Sequence, residues 1–166
     1  VEEEVYDSIQ ATGVNKKYLD NVSLEGLKVS MDIAQSVVDA EIIVLALPSH
    51  VVLSVVDDLL PHLRDDQILL DLAKGLAPGD QMISEVISQR LEAAKLNCRL
   101  CVMMGPTIAP ELARGVYTTA LVTSDDVILA GELATILTTK TLKLSAATDS
   151  LGSEYWGAFK NVIALA

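Results

Sequence analysis

The chain is 166 residues long, 51% hydrophobic and acidic, with a formal net charge of −11 at pH 7, a pI near 4.4 and a mean hydropathy of +0.40. That length suits one domain with a sizeable core, and no apolar run reaches the roughly 18–20 residues that a membrane span needs. The negative field repels nucleic acid and anionic membrane at a distance, while a local lysine or helix N-terminus can still hold an anionic metabolite.

The opening "VEEEVYDSIQ" carries no basic region of the kind that begins a signal peptide, and no initiator methionine, so we expect a chain cut from a longer one. From Leu27 onward the chain alternates. "LKVSMD" (Leu27–Asp32) and "EIIVLAL" (Glu41–Leu47) read as strands, followed by "QILLDLA", "RLCVMMG" and "YTTALVTS". Helical patterns lie between them at Ile33–Val38, Val51–Leu60, Gln81–Ala94, Ile108–Ala113 and Val127–Leu137. A last strand, "TLKLSA", precedes a closing helical stretch, and "AATDSL" (Ala146–Leu151) is the one plausible boundary. Runs such as Ile42–Leu47 and Ile68–Leu72 are almost uninterrupted, as in strands of a parallel sheet covered on both faces. The expected fold is α/β, a doubly wound and mostly parallel sheet.

Cys98 and Cys101 form a C-x-x-C at the start of a buried strand. Residues three apart on a strand point to opposite faces, so the thiols diverge. No second ligand pair stands at zinc-site spacing. We expect core cysteines, no metal and a reducing, cytoplasmic setting.

Ligands of such sheets bind beyond the carboxyl ends of the strands. The informative residues are therefore Pro48–His50, Lys74–Leu76 and Gly105–Leu112, all expected on one edge. Lys74 puts a cation at a strand end, either a solvated rim charge or a group for a phosphate or an oxygen. Gly105 allows close approach. Thr107 reads as a helix N-cap, with Pro110 in the first turn. In "SEYWGAFKNVIALA", Ser153, Gly157, Lys160 and Ala164 share one helical face, and Tyr155, Phe159 and Val162 the opposite one, with Trp156 and Ile163 beside it. A lysine rising from a face of small residues is partly desolvated and suited to acid–base work; the plainer reading is a lysine that snorkels to solvent.

Taken in order, "VNKKYLDNVSL", "VLALPSHVV", "LAKGL", "MGPTIAPELARG" and "GSEYWGAFKNVIALA" resemble NAD(P)-dependent glycerol-3-phosphate dehydrogenases over nearly the whole chain. The resemblance implies a Rossmann-type nucleotide-binding domain over residues 1–147 and the start of an all-helical substrate domain over 148–166. It makes Lys160 the proton acceptor and donor, Asn161 a substrate-contacting amide, and Lys74 a catalytic neighbour of both substrate and nicotinamide. Gly105 and Thr107 match substrate-side positions, while Pro48, Ser49, Lys74 and Ala109 fall on the side of the cofactor, NAD or NADP. The activity implied is hydride transfer between sn-glycerol 3-phosphate and dihydroxyacetone phosphate in glycerophospholipid precursor synthesis, by a cytoplasmic enzyme that a homodimer would suit. Met104 stands where bacterial members usually carry Ser, Pro110 where many have Lys, and Trp156 where the residue is commonly small. The family's G-x-G-x-x-G turn occurs nowhere in this sequence, and neither does the helical domain expected after Lys160. Two alternatives remain open at this point. One is a related 3-hydroxyacid or 6-phosphogluconate-type dehydrogenase, separable by a substrate panel. The other is a degenerate, non-catalytic dehydrogenase module, separable by the encoded length.

Overall fold

The computed structural model describes residues 2–165, and the side chains of residues 161–165 lie outside that description. A helix α1 (Glu3–Thr12) leads into a two-stranded antiparallel hairpin, β1 (Val14–Asn15) and β2 (Leu19–Ser23), and then a short helix α2 (Ile33–Val37). The alternation follows: β3 (Ile42–Leu45), α3 (Ser49–Leu59), β4 (Ile68–Asp71), α4 (Ile83–Ala93), β5 (Arg99–Met104), α5 (Ala109–Ala113), β6 (Thr118–Thr123), α6 (Val127–Leu137), β7 (Leu142–Ala147) and α7 (Ser150–Leu165).

The five strands β3 to β7 form one sheet in sequence order. All its pairings are parallel except β5 with β6, which is antiparallel. Every residue of β4 is buried, as its neighbours and the two covered faces demand. On one face Leu45 and Leu69 pack with Val52, Val56 and Leu59 of α3 and with Ile83, Ile87 and Leu91 of α4. The i, i+4, i+7 or i+8 spacing of those helical residues gives each helix a single apolar stripe. On the other face Leu70, Cys101, Met103 and Val122 pack with Leu129, Ala130, Leu133 and Ala134 of α6. Asp126 caps α6 by accepting from the Ile128 and Leu129 N–H groups at 3.0 and 3.2 Å.

The two cysteines part, Cys98 standing one residue before β5 and Cys101 within it. Cys98 packs toward the α3–α4 face and Cys101 lies in the α6 core, and neither is disulfide-bonded. Leu27–Asp32 differs from the expected strand. Among the described residues its period-2 alternation pairs with no strand, and the segment stays irregular while Asp32 caps α2 by accepting from the Gln35 N–H at 3.2 Å. Among the described residues β3 is an edge strand, with Val44 48% exposed. No described helix is long and apolar enough to cross a membrane.

Candidate active site

Strands β3, β4 and β5 run parallel, so the segments that follow them emerge at one edge. Two contacts draw those segments together. Gly75 lies so close to the start of α3 that a Cβ there would sit 2.7 Å from both the Cβ and the Oγ of Ser49. That approach admits only glycine, and it docks the Lys74 turn against Pro48 and Ser49, where α3 begins. From the same turn, the Lys74 ammonium donates to Thr107 Oγ1 at 2.9 Å and to the Thr107 carbonyl at 3.3 Å.

Thr107 is not the expected N-cap. The cap position of α5 is Ile108, without a side-chain bond, and the threonine hydroxyl instead accepts from a lysine 33 residues away. Ala109 sits exposed in the first turn of α5, and no described hydrogen bond ties its backbone to Lys74 or Lys160.

The antiparallel turn-back of the chain brings the start of β6 to this same edge. Here Gly105 presses on β6: a Cβ at 105 would lie 2.7 Å from the Ala120 Cβ and 2.8 Å from its Cα. Helix α7 crosses just above. A Cβ on Gly157 would meet Met104 Sδ at 2.6 Å, and Ser153 Oγ lies 3.2 Å from Thr123 Oγ1. Between α7 and the sheet opens a cavity of about 490 Å³ whose walls include Met104, Gly105, Leu121, Trp156, Gly157 and Lys160.

Lys160 thus rises from the small-residue face into the cavity and is half-buried. Trp156 also borders the cavity while 72% exposed. Tyr155 and Phe159 stack on the outer side, their ring centroids 6.5 Å apart. Lys74 is held by Thr107 instead of lining this cavity, yet the two lysines sense each other. Burial, and secondarily the Lys160 charge, lower the Lys74 pKa from its ordinary value. The side chain of Asn161 lies outside the described residues. Among the described residues, no group of three or more His, Cys, Asp or Glu side chains is placed to hold a metal ion.

Sequence reasoning missed three buried polar groups behind this edge. Asp71, at the carboxyl end of β4, is fully buried; its Oδ1 accepts from the Ala73 N–H at 3.1 Å, and its Oδ2 has no partner. Burial pushes its pKa up to about 7, the nearby Glu154 charge adding to the effect. Glu154, on the inner side of α7, is 2% exposed and accepts from the Ser84 N–H at 3.2 Å and from the Ser84 hydroxyl. Burial raises its pKa as well. A lone acid inside the run "ILLDLA" was the available signal for Asp71. The pairing of Ser84 with Glu154 spans 70 residues and left none.

Comparison with known proteins agrees with this architecture. Residues 1–130 match the family described as the NAD-dependent glycerol-3-phosphate dehydrogenase N-terminus. A glycerol-3-phosphate dehydrogenase (NAD(P)+) of Clostridium perfringens is 31% identical over 167 residues, covering 99% of this chain and 49% of the relative. The enzyme of the same name from Fusobacterium nucleatum is 34% identical over 154 residues, covering 92% of this chain and 45% of the relative. Among solved structures, the glycerol-3-phosphate dehydrogenase of Coxiella burnetii superposes with a TM-score of 0.89 at 27% identity, over 99% of this chain and 50% of the other. The chain spans about half the length of the curated relatives it matches. It belongs to the NAD-dependent glycerol-3-phosphate dehydrogenase family, with residues 1–130 matching within that family's N-terminal region.

Proposed function

We propose that this chain carries the proton-transfer residues of an oxidoreductase that interconverts sn-glycerol 3-phosphate and dihydroxyacetone phosphate with NAD or NADP. The observation that carries the reading is the convergence of Lys74, Thr107 and Lys160 at the carboxyl edge of the sheet. Two lysines close enough for their charges to interact make a local cationic site in a chain of net charge −11. Such a site suits a phosphorylated, oxygen-rich metabolite. In this reading residues 1–147 are the nucleotide-binding domain, and α7 opens the substrate domain.

Lys160 takes the C2 hydroxyl proton in oxidation and returns it in reduction. Lys74, oriented by its bonds to Thr107, stabilises the negative charge that develops on the C2 oxygen. Gly105 and Thr107 bound the substrate side, and Asn161 is assigned a substrate-contacting amide on family resemblance alone. For the cofactor, Pro48 and Ser49 stand where α3 begins, and the first N–H groups of a helix lack intrahelical acceptors. Gly75 lets the Lys74 turn close against them, and Ala109 lies at the start of the neighbouring α5. These residues fit one wall of a dinucleotide site; the G-x-G-x-x-G cradle for its phosphates is not in this sequence. A bound nicotinamide supplies or accepts the hydride at C2. The metabolic role we assign is supply of a glycerophospholipid precursor in the cytoplasm, a setting that the unpaired Cys98 and Cys101 suit.

The test is Lys160→Ala in the full-length protein. We expect kcat for dihydroxyacetone phosphate to fall about 10²–10⁴-fold, with the thermal unfolding transition little changed. Turnover within a few-fold of the parent overturns the assignment of Lys160.

A further inference from the structure

We propose that Glu154 is a positioning residue: its buried grip on Ser84 at the start of α4 fixes the rotation of α7, and with it where the Lys160 amine stands. The inference rests on the reading of Lys160 as the proton-transfer group.

Three inner contacts seat α7 within little more than one turn. Ser153 Oγ lies 3.2 Å from Thr123 Oγ1 on β6. Gly157 lies against Met104 on β5. Glu154 reaches sideways to α4, where it takes the backbone N–H of Ser84 at 3.2 Å and the Ser84 hydroxyl. The first two contacts set how close the helix lies to the sheet. A glycine against a thioether and a single hydroxyl pair leave the helix able to roll about its own axis. The Glu154 carboxylate opposes that roll, because it bonds two groups of one residue on a neighbouring helix.

The location supports a geometric role. Ser84 is the second residue of α4, and the N–H groups of a first turn have no intrahelical acceptor. A carboxylate there satisfies such a donor and sits at the favourable end of the helix dipole. Glu154 is 2% exposed, so solvent competes little for these bonds.

The lever is short. Lys160 follows Glu154 by six residues, less than two turns, and lies on the azimuth of Ser153. A roll of about 20° carries a side-chain tip, about 5–6 Å from the axis, through about 2 Å. A misplacement of about 1 Å can lower a rate about 10²-fold. Releasing the grip should therefore slow chemistry while leaving the groups that hold substrate in place.

The experiment uses the full-length protein with dihydroxyacetone phosphate and reduced nicotinamide cofactor. Ser84→Ala removes one bond and Glu154→Ala both. We expect kcat to fall about 10-fold and about 100-fold respectively, with KM for dihydroxyacetone phosphate within about 3-fold and a cooperative melt retained. Glu154→Gln keeps an acceptor for the Ser84 N–H and should recover most of the lost kcat. Added to Lys160→Ala, Glu154→Ala should cost nothing further, since the group it positions is gone. An unchanged kcat in Glu154→Ala, or a loss that multiplies with that of Lys160→Ala, overturns the positioning role. If Lys160→Ala alone leaves turnover intact, the reading of Lys160 falls instead, and the two failures are told apart by that single variant.

Discussion

The two ends of the buried strand β4 treat polar groups in opposite ways. Gln67, just before the strand, is 2% exposed and fully engaged. Its amide donates to the carbonyls of Val37 at 3.0 Å and Ala40 at 2.7 Å, and its oxygen accepts from the Arg64 N–H at 2.9 Å. Asp71, at the other end, is just as buried and keeps one carboxyl oxygen without a partner. Most buried polar groups in folded proteins are satisfied, and exceptions gather where chemistry is done. The amino edge of this sheet is built for stability. The carboxyl edge, with Lys74, Thr107 and Lys160, tolerates unmet demands.

Three substitutions sharpen or break that contrast. The largest effect belongs to the carboxyl edge: Lys74→Ala in the full-length protein should lower kcat/KM for dihydroxyacetone phosphate about 10²–10³-fold, the scale of one lost oxyanion donor. Its urea midpoint should hold, since no buried apolar group is removed. Unchanged kinetic constants would make Lys74 a rim charge.

Gln67→Ala should do the reverse. It leaves the Arg64 N–H without its acceptor and takes one of two donors from each of the Val37 and Ala40 carbonyls, a loss of about 1–3 kcal/mol. Urea denaturation should register the loss while steady-state kinetics stay within about 2-fold. A variant that loses turnover without losing stability would erase the distinction between the two edges.

Asp71→Asn is the smallest and the most diagnostic. The folded value of about 7 stands above the ordinary 3.8. The folded chain therefore holds a proton that the unfolded chain releases between those values. The contribution of Asp71 to stability is full below about 3.8 and is lost as pH rises to about 7. Replacing the carboxyl by a neutral amide should raise stability at pH 8 by about 1–3 kcal/mol, and by less at pH 5. Equal gains at both pH values would mean that Asp71 carries no buried charge to relieve.

What could be read from the sequence follows the range of the interaction that decides each feature. The strands from Ile42 onward and the helix Val127–Leu137 were legible, because their apolar patterns are local and carry the burial themselves. Leu27–Asp32 has the same alternation and forms no strand, since pattern alone does not supply a pairing partner. Thr107 looked like a cap from its neighbours, but Lys74 claims its hydroxyl across 33 residues. The convergence of the three post-strand segments was legible from topology. The seating of α7 by Glu154 was not, because neither residue of that pair carries a mark of the other in the sequence.

The glycines at 105 and 157 also say which parts of the cavity could be redesigned. At Gly105 any side chain would strike the backbone of Ala120, and at Gly157 it would strike the thioether of Met104. Enlarging Gly105 would push β6 away, so there the width of the cavity and the pairing of the sheet are one variable, whereas at Gly157 the Met104 thioether would have to give way. Trp156 is 72% exposed and Leu121 is 42% exposed along the same wall, and neither is locked into the core. An engineer seeking a different substrate would vary Trp156 and Leu121, at little expense to folding, and leave both glycines alone.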